Sequence, residues 1–394
     1  MTRAAAIALA LLAACTSTQP EPTAGPTAVP TAPPSPSPSS GVLPVIAVEG
    51  APALDGIRLA GEQVGITLDV SDPSGDPAGA LRRVLGLDPP AVLVVDQAAA
   101  IKAARPEIEE ARVPVIAVEG DLYSGRALFR YAFQVSTPLT WQARVLAHYL
   151  AVDRGNERVA VSGERRISDA ALAEEGLSPV EDLADAEAVL ALTPAPPMSD
   201  GPGDLQLALG AGALASSTSL PAGTVACGPY TWAGWAEPIP RVARFRDRFT
   251  VRFGHPPAGF EQEGFDAVRA VAEALERTDG RGGDALVREL ESFRDETFSS
   301  TPIRLGPDDH VFAEQSHLGL FAVAGPGEEP NPPEAMGALP WRPLMRTFTT
   351  NGKRVNLADR DVRVFFPNWG PRRPRPNYWR SEYGIVTRPD DPLH

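Results

Sequence analysis

The sequence predicts an α/β protein with two lobes, each a parallel sheet flanked by helices. Short runs rich in Val and Ile alternate with helical stretches between residues 42 and 120, as is typical of a parallel sheet covered on both faces. The runs are continuously apolar, which favours strands buried on both sides. After a helix predicted over 138–154, a new strand at 158–162 begins a second series of the same kind.

The first and last of the strands predicted between residues 42 and 120 have the same sequence motif. Pro-Val-Ile-Ala-Val-Glu-Gly occurs at 44–50 and again, letter for letter, at 114–120. Both copies are β-branched runs that end in an acid and a glycine, the composition of a strand followed by a turn. The elements predicted between them are strands at 66–70 and 91–95 and helices at 54–64, 77–85 and 101–111.

The following region carries weaker strand patterns and a clear amphipathic helix. Val242, Phe245, Phe249 and Phe253 recur at helical spacing and form an apolar stripe, while arginines occupy the other face. We interpret these arginines as a solvated helix face; a basic binding patch is the alternative. The elements predicted here are strands at 158–162, 188–192, 213–216 and 224–227 and a further helix at 260–277.

The chain begins like a secretory signal, with Arg3, an apolar run and then Leu11-Leu12-Ala13-Ala14-Cys15. That pentapeptide resembles the lipobox of bacterial lipoproteins. The resemblance implies that residues 1–14 are a cleaved signal peptide and that Cys15 carries acyl chains, palmitate among them, which anchor the protein in the cell membrane on its extracytoplasmic face. An ordinary cleaved signal with a chance cysteine is the alternative. Residues 15–41, rich in Pro, Ser and Thr, predict an extended linker.

Composition excludes several classes of function. A formal net charge of −14 argues against nucleic acid as a partner. With Cys15 assigned to lipid, Cys227 stays unpaired and is expected to be a small buried residue, so no disulfide framework is predicted. We find no P-loop, zinc-type pairing of Cys or His, or nucleophile elbow, and therefore expect neither an enzyme nor a cofactor or metal site.

Residues 42–323 carry segments that together resemble the type I periplasmic binding proteins of the branched-chain amino acid group, which feed ABC importers. The segments are Gly56–Ala60, Asp69–Asp72, Glu107–Ile116, Phe129–Ser136 and Gly264–Val268. The resemblance implies a receptor that closes by hinge motion on a small molecule between its lobes and presents it to an ABC transporter permease. The predicted domains, after the signal peptide and linker, are lobe I (42–136 with 258–303), lobe II (137–257 with 304–325) and a C-terminal extension (326–394).

The extension is rich in proline and then in aromatic and basic residues. Its aromatic content is too high for a purely disordered tail. We expect a structured extension that packs across the lobes; a docking patch for an acidic partner or an anionic surface is the alternative.

The sequence departs from that family where the family shapes its ligand site. The loop after the first strand is reduced to Ala51-Pro52-Ala53, and Asp96-Gln97-Ala98-Ala99-Ala100 stands where the family has a serine-rich turn that holds the α-carboxylate of the ligand. Gly163-Glu164-Arg165-Arg166 replaces a tyrosine-glycine element. An acid has therefore taken the place of hydroxyl donors.

Acidic and aromatic side chains at predicted strand ends suggest which ligand charge the site prefers. Ligands of open parallel sheets bind beyond the carboxyl ends of the strands. If these acids face one cleft they attract an amine or another cation, and aromatic rings add cation–π contacts. Pairing of each acid with a helix N-terminus is the alternative. The predicted ligand-binding residues are Glu49, Asp96, Gln97, Glu119, Asp121, Tyr230 and Trp232.

Two other functions stay open at this point. A lipoprotein that keeps the binding-protein scaffold without its ligand, acting as an adaptor or sensor in the cell envelope, fits the shortened loop and the missing serine turn. An envelope hydrolase that uses the cleft acids is the weaker alternative.

Overall fold

A computed structural model describes residues 41–73, 75–87, 89–122, 129–193, 205–215, 220–229, 240–257, 260–296, 298–299, 303–307, 309–312 and 318–323, and the backbone of several strands between 341 and 385. Among the predicted site residues, Cys15, Tyr230 and Trp232 lie outside the described residues. No helix in the described ranges has both the length and the apolar character needed to cross a bilayer.

The first half of the molecule is a five-stranded, fully parallel sheet in the order β2-β1-β3-β4-β5, which confirms the predicted α/β class. Strands β1, β3, β4 and β5 are mostly buried, as their sequences predict, whereas the edge strand β2 is partly exposed along its length. The predicted helix at 101–111 is two helices, because Pro106 has no N–H with which to continue the first one. The elements are β1 (Val42–Ile46), α1 (Pro52–Val64), β2 (Thr67–Ser71), α2 (Pro77–Leu87), β3 (Leu93–Gln97), α3 (Ala98–Ala103), α4 (Arg105–Ala111), β4 (Val115–Glu119) and β5 (Ala132–Gln134).

The second half begins with a helix that ends in a π-helical turn, Tyr149–Asp153. The strand predicted at 213–216 is wrong: Ala211–Ala215 is helical, and the strand lies before it. Alanine is the best helix former, which explains the helix locally. The elements are α5 (Leu139–His148), β6 (Arg158–Ser162), α6 (Arg165–Glu174), β7 (Ser178–Val180), β8 (Ala188–Ala191), β9 (Gln206–Leu209), α7 (Ala211–Ala215) and β10 (Val225–Pro229).

Three helices and three strands follow, and one strand returns to the second sheet. That sheet continues from the parallel series β7-β6-β8-β9-β10 into the antiparallel strand β13. The elements are α8 (Pro240–Phe253), α9 (Glu261–Arg277), α10 (Gly283–Leu290), β11 (Arg294–Glu296), β12 (Ile303–Arg304) and β13 (Leu318–Val323).

Helix α8 packs on the first half of the molecule. Its predicted stripe is confirmed, with Phe249 fully buried and Phe245 5.1 Å from Phe265 of α9, centroid to centroid. On its exposed side Arg252 pairs with Glu62 of α1 at 2.7 Å. The predicted lobe boundaries assign α8 to lobe II; they stay a prediction, and these contacts favour assigning it to lobe I.

The tail extends the second sheet. The backbone of β14 pairs with β13 in antiparallel register, and the next two strands add to its outer edge. This pairing is what a structured extension requires, whereas the docking alternative stays a prediction. The elements are β14 (Trp341–Thr350), β15 (Lys353–Asn356), β16 (Asp361–Arg363), β17 (Trp379–Ser381) and β18 (Gly384–Ile385).

Helices α1 and α9 meet through two glycines near their first turns. A Cβ atom on Gly56 would lie 1.7 Å from the carbonyl oxygen of Glu261, and one on Gly264 would lie 2.3 Å from that of Ala53. Only glycine permits this approach of the two backbones. The contact places the N-terminus of α9 beside the start of α1, at the end of the first sheet where β1 finishes.

Candidate ligand site

The carboxyl ends of the two parallel sheets are joined by the short crossing from β5 to α5. Gln134, the last residue of β5, accepts a hydrogen bond from the Leu122 N–H at 2.7 Å and donates to the carbonyl oxygen of Gly120 at 3.0 Å. Gln142, in the first turns of α5, accepts from the Ala211 N–H at 2.6 Å. The loop after β4 and the turn after β9 are thus both attached to this crossing.

Asp96 is a buried acid at the end of β3. Only 1% of it is exposed, and its Oδ2 atom accepts a hydrogen bond from the Val48 N–H at 2.8 Å. Its Oδ1 atom has no hydrogen-bond partner among the described residues. Burial raises the pKa of Asp96, and the charge of Asp72 adds to this effect, while backbone N–H groups oppose it. The carboxylate is therefore held at a cost in a poorly solvated position.

Glu119 ends the neighbouring strand, β4, and is half-buried. It lies opposite Gln97 in the register of β3 and β4. Burial, and then the negative charge of Asp96, raise the pKa of Glu119 from 4.5 to about 7. Two interacting carboxyl groups thus share this edge, and one of them holds a proton easily near neutral pH.

Glu49 is brought to the same edge but is neutralised there. Its carboxylate is exposed and accepts hydrogen bonds from the Arg58 guanidinium at 3.0 and 3.1 Å. It therefore adds little net negative charge to the pair formed by Asp96 and Glu119. Asp121 is 5% exposed and lies in the loop that Gln134 holds.

Capping does not explain the acids at the ends of β1 and β3. The N-cap residues of α1 and α3 are Ala51 and Gln97, and neither makes a side-chain capping hydrogen bond. The explanation that these acids cap the following helices therefore does not apply at these two positions.

In the second half, the corresponding edge is lined by small residues. Gly163 follows β6 with a φ of +82°, and a Cβ atom there would lie 2.1 Å from the Oγ1 atom of Thr193, which follows β8. Gly210 follows β9, and a Cβ atom on it would lie 2.9 Å from the Oε1 atom of Gln142. Neither Thr193 nor Gln142 was predicted as a site residue, because an isolated polar residue beside an apolar run carries no specific signal.

The first two turns of α9 contain further buried acids that sequence reasoning missed. Glu261, Glu263 and Asp266 are 5%, 6% and 1% exposed, and Asp266 accepts hydrogen bonds from the N–H and the hydroxyl of Ser299 at 2.8 and 2.6 Å. Acids are stabilised at a helix N-terminus by the helix dipole. The available signal was three acids within six residues at the start of an amphipathic helix.

Among the described residues, the acids at this edge do not form a metal site. In the part of the chain that the structure describes, no three His, Cys, Asp or Glu side chains converge closely enough to bind a metal ion. Asp96 and Glu119, whose charges repel each other, have the chemistry to bind an organic cation through ion pairing and hydrogen bonding.

The fold is that of known solute-binding proteins. A leucine-binding protein of Thermotoga maritima superposes with a TM-score of 0.58 at 17% identity, over 72% of this chain and 95% of that one. A type 1 periplasmic binding protein of Bordetella pertussis gives 0.62 at 15% identity, over 77% and 100%. A branched-chain amino acid transporter substrate-binding protein of Streptococcus pneumoniae, in complex with isoleucine, gives 0.55 at 14%, over 77% and 99%.

No protein-family model matches the chain, and no curated protein matches it in sequence. At such low identities the structural likeness establishes the fold alone. The chain therefore has the two-lobed α/β fold of the type I periplasmic binding proteins.

Proposed function

We propose that this protein is a lipid-anchored, extracytoplasmic solute-binding protein that captures a small molecule carrying an amine or another cationic group for an ABC importer. The observation that carries the proposal is the mutual repulsion of buried Asp96 and half-buried Glu119 at the carboxyl edge of the first sheet. Solute-binding proteins of this fold support the general role, and the acids support the preference for a cation.

The charge of the edge argues against an ordinary amino acid as the ligand. A free α-carboxylate placed beyond β3 and β4 would meet Asp96 and Glu119 and be repelled by both. An ammonium group would instead offset the repulsion between the two carboxylates and offer hydrogen-bond donors to Oδ1 of Asp96, which has no partner among the described residues. Gln97, Asp121, Tyr230 and Trp232 remain proposed contacts, the last two as aromatic partners from the second half.

Closure of the two halves would complete the site. The crossing between β5 and α5 connects both sheet edges, so a ligand that touches both sides stabilises the closed form. Neither catalysis nor a cofactor is part of this proposal, and the partners are the ligand, a permease and the membrane.

A thermal-shift screen against amino acids, amides, polyamines and quaternary amines tests the ligand class, because a compound that binds only the folded protein raises the melting temperature. We expect a cationic compound to give the largest shift. The affinity for that compound, measured by calorimetric titration, should then fall at least about tenfold in Asp96→Asn, because one partner of a buried ion pair is lost. Glu110→Gln removes an exposed acid on α4 and is the matched control.

Tighter binding of an anionic amino acid than of any cation would contradict the charge preference. Lipid anchoring has its own test: Cys15→Ser should move the protein from the membrane fraction to the soluble fraction. An unchanged membrane fraction would contradict it.

One observation favours the second candidate, an adaptor or sensor without a ligand. The loop after β1 is short, since Ala51 N–H already bonds to the Val48 carbonyl oxygen at 2.9 Å and α1 begins at Pro52. Less chain is therefore present at this edge to enclose a ligand. No shift with any compound class in the same screen would favour this candidate.

A further inference from the structure

Two buried glutamines flank the crossing between the halves, and their bonds follow one pattern. Gln134 is 0% exposed and Gln142 is 1% exposed. Gln134 accepts a hydrogen bond from the N–H of Leu122 in the loop after β4, and Gln142 accepts one from the N–H of Ala211 at the start of α7. Each glutamine also donates to a carbonyl oxygen of the crossing itself. The orientation of both side-chain amides is fixed by these partners, because a carbonyl needs a donor and an N–H needs an acceptor.

The two crossing carbonyls that the glutamines hold are consecutive. Gln134 Nε2 donates to the oxygen of Ser136 at 2.9 Å, and Gln142 Nε2 donates to the oxygen of Thr137 at 2.8 Å. The only backbone torsions between these carbonyl groups are φ and ψ of Thr137. The boundary between the part of the crossing held by Gln134 and the part held by Gln142 therefore falls within Thr137.

Each glutamine is itself rigidly placed in its own half. The backbone of Gln134 bonds through its N–H to His310 O at 2.9 Å and through its carbonyl oxygen to Phe312 N–H at 2.8 Å. The predicted boundaries assign 310–312 to lobe II, and these bonds attach that segment to β5 of the first sheet. Gln142 is buried on α5, the helix that packs against α6 and the second sheet. One glutamine thus moves with the first sheet and the other with the second.

We propose that Gln134 and Gln142 are positioning residues that hold one loop of each half to the crossing and leave Thr137 as its pivot. This inference rests on the proposed function only in taking the two loops to face a ligand. Pro138 limits the range of the Thr137 torsions, because a residue before proline is confined to extended backbone conformations. Closure would then rotate two intact units instead of deforming the loops.

Hydrogen exchange of single amides in the full chain tests the clamps without any ligand. In Gln134→Met the protection factor of the Leu122 amide should fall by roughly tenfold or more, while that of Ala211 stays within about twofold. Gln142→Met should give the reverse pattern. Equal loss at both amides and at the core amide of Val94 would mean general destabilisation and would overturn the proposal, as would unchanged protection of Leu122.

The conservative variant Gln134→Glu separates positioning from simple packing. Its carboxylate repels the carbonyl oxygens of Gly120 and Ser136, but its protonated form can donate to one of them and still accept from Leu122 N–H. Protection of Leu122, corrected for the intrinsic exchange rate, should therefore recover as the pH is lowered, and no recovery should occur in Gln134→Met. Absence of recovery in Gln134→Glu would count against the clamp.

The pivot is tested by the distance between the halves. Spin labels on Val152→Cys and Val251→Cys, whose native side chains are 60% and 88% exposed, report on it in a Cys15→Ser background. Thr137→Gly should widen the distance distribution because glycine frees both torsions, whereas Thr137→Ala, which only shortens the side chain, should not. Equal widths in these two variants would overturn the assignment of the pivot. Loss of ligand binding alone would affect only the proposed function.

Discussion

Replacing Glu119 by Gln should change how the stability of the protein depends on pH. Folding raises the pKa of Glu119 from 4.5 to about 7, mainly because the carboxyl group is buried and further because Asp96 lies near it. The folded state therefore binds this proton more tightly than the unfolded state does. Stability from this group is complete below about pH 4.5 and is lost as the pH rises through about 7.

The size of the effect follows from the two pKa values. A rise from 4.5 to about 7 corresponds to about 3 kcal/mol at full strength. Because Glu119 is only half-buried and solvent screens its charge, we expect about 1–2 kcal/mol. Glu119→Gln cannot ionise, so it should gain this amount over the wild type between pH 5 and pH 8.

Urea unfolding at both pH values measures that difference directly. Glu110→Gln provides the matched control, since it removes an exposed acid of the same half and should show no such gain. In Asp96→Asn the pH dependence of stability should become weaker without disappearing, because burial contributes more than the charge of Asp96 to the raised pKa of Glu119. If wild type and Glu119→Gln lose stability in parallel between pH 5 and pH 8, the account of the acidic edge is wrong.

Three further predictions concern the scaffold. Gly56→Ala should lower the free energy of unfolding by about 2–3 kcal/mol, since its Cβ atom would overlap a backbone oxygen, whereas Gly86→Ala, with nothing within 4 Å, should raise it by about 0.5–1 kcal/mol; urea unfolding distinguishes them. Phe249→Ala should cost about 3–5 kcal/mol and Val251→Ala on the exposed face of the same helix less than about 0.5 kcal/mol, compared by the same assay. Burial raises the pKa of the Cys227 thiol, so a thiol reagent should modify it only in urea, and rapid modification of the folded protein would contradict this.

The fold could be predicted from the sequence because its signal is local. Continuous apolar runs such as 91–95 fall within two residues of the observed strand, Leu93–Gln97. The strand predicted at 213–216 is wrong for an equally physical reason, since a run of small apolar residues has no period that separates strand from helix. Element type followed from the pattern in the longer runs, whereas the boundary at Pro106 required the backbone chemistry of proline.

The site could be predicted only in part, because its electrostatics depend on contacts between distant residues. The position of Glu119 at a strand end follows from the motif, and that of Asp96 follows from the apolar run at 91–95 that precedes it. Asp96 accepts its hydrogen bond from the N–H of Val48, 48 residues earlier in the chain, and no local pattern indicates this contact. Glu49 has the same motif position as Glu119, yet Arg58 neutralises one and Asp96 perturbs the other.

That difference between the two copies of one motif bears on function. Identical sequences at 44–50 and 114–120 end in a solvated ion pair in one case and in a half-buried, proton-binding carboxyl group in the other. A structural role would be satisfied by the first arrangement, which costs little. The second lowers stability above neutral pH and gains nothing within the described contacts, as is typical of groups arranged to bind something. An added cation offsets the repulsion of Glu119 and Asp96 directly, and Gln134 holds the loop beside Glu119 to the crossing between β5 and α5.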